Sequence, residues 1–203
     1  MLKMIKGAVI NDGDKLNEEY IVDGSSIIAN VNADKILKLI YDFVDLQSHP
    51  LFLIIEVPTS LKYEKVEDDG NTIKQFHKDV YYLDDMSKEF VKDILKVFGN
   101  LFVNDGMAQI GVGNHITESE IMTDKYNVVN ILCKKEDISK YEELMNSNGI
   151  KPVDDLITAW EYFNKSNPGE RNSIEEDGKD VYAAVDILRK EAGLYFAERR
   201  VDK

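Results

Sequence analysis

Residues 51–57, Leu-Phe-Leu-Ile-Ile-Glu-Val, form an almost unbroken apolar run that Pro58 closes. Successive side chains of a strand point to opposite faces, so a strand this apolar needs cover on both faces of its sheet. Proline ends such a strand because it has no N–H to donate to the neighbouring strand. We therefore expect residues 51–57 to form a central strand, and the rest of the fold to be built around it.

Other segments predict further strands. Residues 24–31 and 128–133 have strand character, and residues 107–113 form another strand whose glycines mark a close approach or a bulge. Residues 61–83 are interpreted as a hairpin, since the cluster at 67–71 contains glycine and asparagine suited to a tight turn. A helix remains an alternative there, because three apolar residues are also spaced like a helix face: Ile73, Phe76 and Val80.

Two helices are predicted in the first half of the chain. One follows a cap at Asn32 or Asp34, and its apolar stripe comprises Ile36, Leu37, Ile40, Phe43 and Val44. A longer helix begins after Ser87, whose side chain suits the N-cap, and ends before residues 104–106, Asn-Asp-Gly. Its apolar stripe is wide, which indicates burial.

The last third of the chain is predicted to be helical. Apolar spacing favours helices over 138–145 and 156–163, and an amphipathic helix over 180–198. Between them, residues 164–180 contain a single apolar side chain, Ile174, and are expected to form a flexible loop. The final helix must pack on its own domain or on a partner, so self-association through it is one possible function of this region.

These elements predict the fold class. We expect one α+β domain over residues 1–203, with a mostly antiparallel sheet of about five or six strands covered by helices. A helical C-terminal portion should extend over about 136–203, and the loop at about 164–180 should lie inside it.

Composition limits the function classes. The chain has 25 basic and 38 acidic side chains, a formal net charge of -13, which repels the phosphate backbone of nucleic acids. No apolar run approaches the length of roughly 20 residues that a membrane helix requires. The single cysteine, Cys133, excludes an intramolecular disulfide, and we expect it to be buried and inert. We therefore predict a cytoplasmic protein that binds neither nucleic acid nor membrane.

Common metal and cofactor motifs are absent from the sequence. The histidines are too far apart for a zinc pair, and Asp12 and Asp14 lack the further ligands of a calcium loop. The Gly111-Val112-Gly113 segment lacks the third glycine of a dinucleotide fingerprint, where Ile116 stands, and no phosphate-binding loop is present. We predict no metal and no cofactor.

A first candidate site lies around His115. It follows a glycine-containing strand, and we expect a pocket formed by Asn114, His115, Glu118 and Glu120, which would suit a small hydrolase or a ligand-binding enzyme. Residues 117–120, Thr-Glu-Ser-Glu, match a capping box and predict a short helix. A hydrogen-bonded loop histidine without catalytic function is the competing interpretation.

A second candidate site is acidic. Asp68, Asp69, Asp84 and Asp85 are predicted in loops beside the aromatic residues Tyr81 and Tyr82. Asp84 and Asp85 could instead stabilise the start of the following helix electrostatically. As a surface, these six residues suit a protein that occludes a basic partner, because complementary charge speeds encounter and tyrosines provide contact area.

Two stretches carry a resemblance to a known class of proteins. Residues 104–131, NDGMAQIGVGNHITESEIMTDKYNVVNI, and residues 157–170, ITAWEYFNKSNPGE, resemble segments of small acidic bacterial immunity-type proteins. Such proteins neutralise a co-encoded polymorphic toxin. The resemblance implies a stoichiometric binder of a toxin-like basic protein, without a cofactor. We therefore favour a binding protein over an enzyme.

Overall fold

The computed structural model describes residues 2–11, 13–65 and 73–202. Its strands are β1 (Ala8–Val9), β2 (Glu19–Asp23), β3 (Ser26–Asn30), β4 (Leu51–Pro58), β5 (His77–Met86), β6 (Gln109–Asn114), β7 (Ser119–Thr123), β8 (Val128–Leu132), β9 (Lys151–Pro152), β10 (Glu170–Arg171) and β11 (Tyr195–Val201). Its α-helices are α1 (Ala33–Leu46), α2 (Lys88–Ile94), α3 (Asn100–Asn104), α4 (Ile138–Ser147) and α5 (Val181–Glu191).

Nine strands form one sheet in the order β11-β5-β4-β6-β7-β8-β3-β2-β9, and β1 pairs with β10 in a separate small sheet. Every pairing in the large sheet is antiparallel except that of β2 with β9. The α+β class and the mostly antiparallel sheet are confirmed. The expected five or six strands are too few, because the short outer strands are specified by pairing partners distant in sequence rather than by local pattern.

The first strand identified from the sequence lies inside the sheet, as expected. β4 pairs with β5 on one side and with β6 on the other, and its five residues from Leu51 to Ile55 are all buried. Leu53 and Ile55 belong to the main core, whereas Phe52 and Ile54 form a smaller cluster with Val80 on the opposite face. The side chains on both faces of this strand are therefore buried, in the main core on one face and in the smaller cluster on the other.

The helices pack against the face that carries the main core. α1 contacts β6 and β7, α4 contacts β3, and α2 contacts β4. The expected apolar stripe of α1 is confirmed at Ile36, Ile40, Phe43 and Val44, which are buried. No helix among the described residues is long and apolar enough to cross a membrane. The opposite face of the large sheet, which we call the open face, carries side chains such as Phe52 and Tyr82.

The long helix after Ser87 differs in detail from the prediction. The Ser87 hydroxyl accepts a hydrogen bond from the Phe90 N–H, which confirms the N-cap. The helix then widens into a π-helical turn at Leu95–Gly99 before it continues as α3. A Cβ at Gly99 would meet the side chain of Leu37 on α1, so a glycine allows the two helices to approach closely here.

Two local predictions between residues 61 and 123 are corrected. The predicted hairpin contains a 3₁₀ turn at Leu61–Tyr63 instead of a first strand, and β5 pairs with β4. The turn expected at 67–71 lies outside the described residues. The capping-box pattern at 117–120 does not start a helix, because Glu118 adopts a positive φ of 53° in the turn between β6 and β7.

The C-terminal portion is not wholly helical. α5 ends at Glu191, and the chain then forms β11, which pairs with β5 at the edge of the sheet. Residues 156–163 contain only a 3₁₀ turn at Ala159–Tyr162, and the expected loop at 164–180 contains β10. The helical spacing of 180–198 is correct for α5 but misleading beyond it, since pairing with β5 outweighs local propensity.

Candidate functional site

Two glycines shape the centre of the open face. Gly111 and Gly113 lie in β6 opposite Ile54 and Phe52 of β4. A Cβ at Gly113 would overlap the ring of Phe52, and one at Gly111 would overlap the side chains of Met122 and Ile54. The absence of side chains at these positions lets the Phe52 ring lie against the sheet. The predicted close approach at these glycines is confirmed.

Phe52 is the centre of an aromatic cluster. The His115 ring stacks on the Phe52 ring with centroids 4.3 Å apart and an interplanar angle of 21°. The Tyr82 ring lies 5.9 Å from the Phe52 ring and is tilted by 46°. Phe52 is buried, whereas the His115 side chain is 70% exposed. An aromatic surface therefore faces solvent at this end of the sheet.

Carboxylates surround this aromatic cluster. Asp84 Oδ1 lies 3.4 Å from His115 Nε2, and Asp84 Oδ2 accepts a hydrogen bond of 2.6 Å from the Tyr195 hydroxyl. Glu120 lies directly across from Gly113 in the pairing of β6 with β7. We call the set Phe52, Tyr82, Asp84, His115, Glu120 and Tyr195 the aromatic-acid patch.

Glu120 is the least compensated carboxylate of the patch. It is partly buried, and among the described residues it has no hydrogen bond and no ion pair. Burial raises the pKa of Glu120 above its ordinary value, and the nearby charge of Glu56 raises it further, against smaller opposite effects of Arg200 and His115. A cation that approached this carboxylate would stabilise its ionised form.

The structure places Tyr82 and Asp84 of the predicted acidic surface in the patch, but it separates Tyr81 from them. Tyr81 points to the opposite face, where its ring contacts Phe196 at 5.8 Å and lies beneath the guanidinium of Arg189 at 5.9 Å. Tyr81 and Tyr82 are adjacent in β5, and adjacent strand residues point to opposite faces. Tyr81 therefore supports the packing of α5 and β11.

Asp85 lies beside the patch but is not part of it. It is exposed and adopts a φ of 55°, which is unusual for a residue other than glycine and is tolerated by aspartate. The start of α2 is capped by Ser87 rather than by Asp84 or Asp85. The predicted residues Asp68 and Asp69 lie outside the described residues.

The predicted pocket around His115 is divided by the structure. Asn114 is buried and organises the turn: its Oδ1 accepts hydrogen bonds from the N–H groups of Ile116 and Thr117, and its Nδ2 donates to Ser48 O. Glu118 is exposed and pairs with Lys134 at 3.2 Å. Only His115 and Glu120 of the four belong to the patch.

Catalytic chemistry receives little support at this site. The neighbouring hydroxyls of Thr117 and Ser119 hydrogen-bond to each other and to Gln47 Oε1, so they are engaged away from the His115 ring. Burial raises the pKa of the Cys133 thiol, in agreement with the predicted inert cysteine. Within the described ranges, no group of three or more potential ligands could hold a metal ion.

Sequence reasoning missed Phe52 and Tyr195 as parts of this surface. Phe52 was one apolar residue among several in β4, and its exposure to a neighbouring histidine depends on the register of β4 with β6. The apolar spacing of 180–198 predicts a helix at Tyr195, where the structure has β11. The Gly111 and Gly113 spacing was the one local signal of a close approach on this face.

A second cluster of charged residues lies at the other end of the open face. Lys125 Nζ and Lys78 Nζ lie 2.9 Å and 3.5 Å from Asp202 Oδ1, and Arg171 lies 3.7 Å from Asp202 Oδ2. Lys78 also approaches Glu56 at 3.5 Å, and the side chains of these residues are mostly buried. We call Lys78, Lys125, Arg171 and Asp202 the C-terminal charge cluster.

Asp202 shows the opposite electrostatic behaviour to Glu120. Burial by itself would raise the pKa of Asp202, but the hydrogen bond from Lys125 and the charges of Lys78 and Arg171 outweigh it and hold the pKa below its ordinary value. The Asp202 N–H also donates to Phe76 O. This cluster therefore fastens the end of β11 to the rest of the sheet.

Comparisons of this chain with protein-family models, with curated proteins and with solved structures gave no match.

Proposed function

We propose that this protein is a protein-binding module that uses the aromatic-acid patch to bind a basic partner. The observation that carries the proposal is the exposed His115 ring, stacked on Phe52 and bordered by Asp84 and Glu120. Aromatic faces and carboxylates together suit an arginine or lysine side chain, which can stack on a ring while its charge is neutralised.

The charge of the whole chain supports the same function. A net charge of -13 attracts a basic protein over long range and speeds its encounter with the patch. The resemblance to immunity-type proteins agrees with this proposal, in which the basic partner is a toxin whose active surface is occluded by stoichiometric binding.

An enzyme centred on His115 is the weaker alternative. The Asp84 contact could orient the ring for proton transfer, but Asn114 and Glu118 have other partners, and the hydroxyls of Thr117 and Ser119 are engaged elsewhere. Substitution of His115 by alanine distinguishes the two functions. A binding module should bind its partner more weakly, whereas an enzyme centred on His115 should lose its turnover.

The test is a charge reversal on the patch. Asp84→Lys combined with Glu120→Lys should abolish salt-sensitive retention of a basic protein from a lysate of the native cells. The matched control is Asp154→Lys combined with Asp155→Lys, which changes the net charge equally at two exposed positions outside the patch. Circular dichroism establishes that both variants fold.

The retained protein is then identified, purified and titrated by calorimetry. We expect a 1:1 complex whose affinity falls as salt is added and falls further in the patch variant. Equal affinity of the patch variant and the control variant would contradict the proposal, and so would a partner without excess positive charge.

A further inference from the structure

A cavity of about 670 Å³ lies where β4 ends and β5 begins, at the opposite end of the sheet from His115. Pro58 lies six positions after Phe52 along β4, which places the cavity about 20 Å from the aromatic-acid patch. Its volume lies within the range of small-molecule sites in proteins. Its apolar lining comprises Pro58, Leu61, Phe76, Met107 and Tyr182.

The apolar lining is accessible to a ligand. Leu61 is 71% exposed and Phe76 is 57% exposed, both unusually high for large apolar side chains that border one cavity. Tyr182 is held in the wall, because its hydroxyl donates a hydrogen bond of 3.1 Å to Pro58 O. This hydrogen bond satisfies the Pro58 carbonyl, and the Tyr182 ring lines the cavity.

Positive charge lies at one side of the cavity. Arg171 lines it from β10, and its guanidinium approaches the Asp202 carboxylate at 3.7 Å. Lys78 and Lys125 approach the same carboxylate at 3.5 Å and 2.9 Å, and Lys78 also lies 3.5 Å from Glu56. The Tyr126 side chain also hydrogen-bonds to Arg171. A guanidinium has five N–H donors, and the 3.7 Å contact with Asp202 is longer than a hydrogen bond, so Arg171 keeps donors for a second carboxylate.

The other charged or chargeable residues that line the cavity, His77 and Asp202, already have ion-pair partners. His77 Nδ1 lies 2.7 Å from Glu64 Oε2, and the buried Glu64 carboxylate also accepts the His77 backbone N–H. Thr59 donates to Asp79 Oδ1, which Arg199 also contacts. Arg171 is therefore the lining residue best suited to a negatively charged ligand.

We propose that this cavity binds a small amphipathic anion, with an alkyl or aromatic body against Leu61 and Phe76 and a single carboxylate at Arg171. The apolar walls bury the body of the ligand, and the guanidinium selects the charged group. The site is separate from the aromatic-acid patch and does not depend on the function proposed for that patch.

The test uses decanoate as the probe and the full chain in isothermal titration calorimetry. Decanol and decyltrimethylammonium have the same chain with a neutral and a cationic head, so they separate the apolar contribution from that of charge. We expect decanoate to bind 1:1 and more tightly than both. Arg171→Met should weaken decanoate by about tenfold, the effect of losing one charge-assisted hydrogen bond, and should leave decanol unchanged.

Two further variants keep the proposal testable if Arg171→Met fails to fold. Leu61→Glu places a negative charge at the exposed wall of the cavity and should also weaken decanoate by about tenfold or more. Lys151→Met is the matched control, since it removes one positive charge from β9 at the far edge of the sheet and should not change the affinity.

Three outcomes would overturn the proposal. The first is no decanoate binding up to about 1 mM, which is the weak end of ligand affinity. The second is equal affinity for decanoate and decanol. The third is equal decanoate affinity in Leu61→Glu and Lys151→Met. Arg171→Met and Leu61→Glu leave the aromatic-acid patch unchanged, so their capture of the basic partner tests only the function proposed for the patch. Failure of one proposal therefore does not imply failure of the other.

Discussion

Two carboxylates on the open face, Asp202 and Glu120, have opposite electrostatic environments. Asp202 contacts three cations, and its pKa is held below the ordinary value, whereas Glu120 has no ion pair among the described residues and its pKa is raised. The compensated carboxylate joins the end of β11 to three other segments. The uncompensated one lies in an exposed patch where a partner could supply the missing cation. Charge at one end of the face therefore stabilises the fold, and charge at the other end is available for binding.

The largest expected effect comes from Asp202→Asn. This change removes the charge of the carboxylate that Lys78, Lys125 and Arg171 share, so we expect the free energy of unfolding to fall by about 3 kcal/mol. Urea denaturation at pH 7 measures it. Asp154→Asn, at an exposed position, should change stability by less than about 0.5 kcal/mol. Equal stability of the two variants would show that the cluster does not fasten the C-terminus.

The same variant should alter the acid dependence of stability. The folded pKa of Asp202 lies below the unfolded pKa, so its contribution is complete above the ordinary aspartate pKa and is lost as the pH falls through the folded pKa. Asp202→Asn should therefore lose less stability than the wild type on acidification below about pH 4. Parallel curves for the two proteins would contradict this assignment.

Gly113→Ala tests the close packing under the aromatic-acid patch. The added Cβ would overlap the Phe52 ring, and we expect a loss of about 1–3 kcal/mol in the free energy of unfolding. Phe52→Leu removes the ring, so the double variant should lose less than the sum of the two single variants. Strictly additive losses would mean that the overlap is relieved elsewhere.

Asp84→Asn tests the contacts at the edge of the patch. It weakens the hydrogen bond from Tyr195, and we expect a loss of about 0.5–1 kcal/mol in thermal or urea unfolding. The neighbouring Asp85→Asn is a matched control, because Asp85 is exposed and asparagine tolerates its positive φ equally well. A greater loss in the control than in Asp84→Asn would contradict the assigned contact.

Glu120→Gln should have the smallest effect on the free energy of unfolding at neutral pH. Unlike the other variants, it should raise stability rather than lower it. The folded pKa of Glu120 lies above the unfolded pKa, so its ionisation costs stability as the pH rises from the ordinary glutamate pKa through the folded one. The variant should gain stability relative to the wild type between about pH 4 and pH 7, by a few tenths of a kcal/mol at most. A relative loss over that range would mean that the ionised carboxylate has a stabilising partner.

Prediction of this fold succeeded where a pattern is local and failed where partners are distant. The run at 51–57 marked the inner strand β4, and helical spacing marked α1, because both periodicities reflect burial directly. The segment 195–201 was missed, since its alternation is weak and all its residues are exposed in β11. Residues 117–120 carry the residue types of a capping box, but strand pairing on both sides of the turn outweighs that local preference.

The candidate site was predicted in parts. The sequence predicts Tyr82 and Asp84 in one site and His115 and Glu120 in another, and the pairing of β4, β5, β6 and β7 brings both pairs to one face. Tyr81 and Tyr82 are predicted in the same site, but the alternation of side chains along a strand places them on opposite faces. Phe52, which joins the segments, has no local signal that distinguishes it from its apolar neighbours.

The sequence by itself determined the apolar inner strand, the amphipathic helices, the excess of negative charge and the absence of common metal and cofactor motifs. These properties depend on residue type and short-range spacing, which sequence displays directly. Only the tertiary structure decided which carboxylate is compensated by cations and which has no ion pair among the described residues. That difference depends on register between strands and on contacts across the chain, such as that of Arg171 with Asp202, and no short-range pattern encodes it.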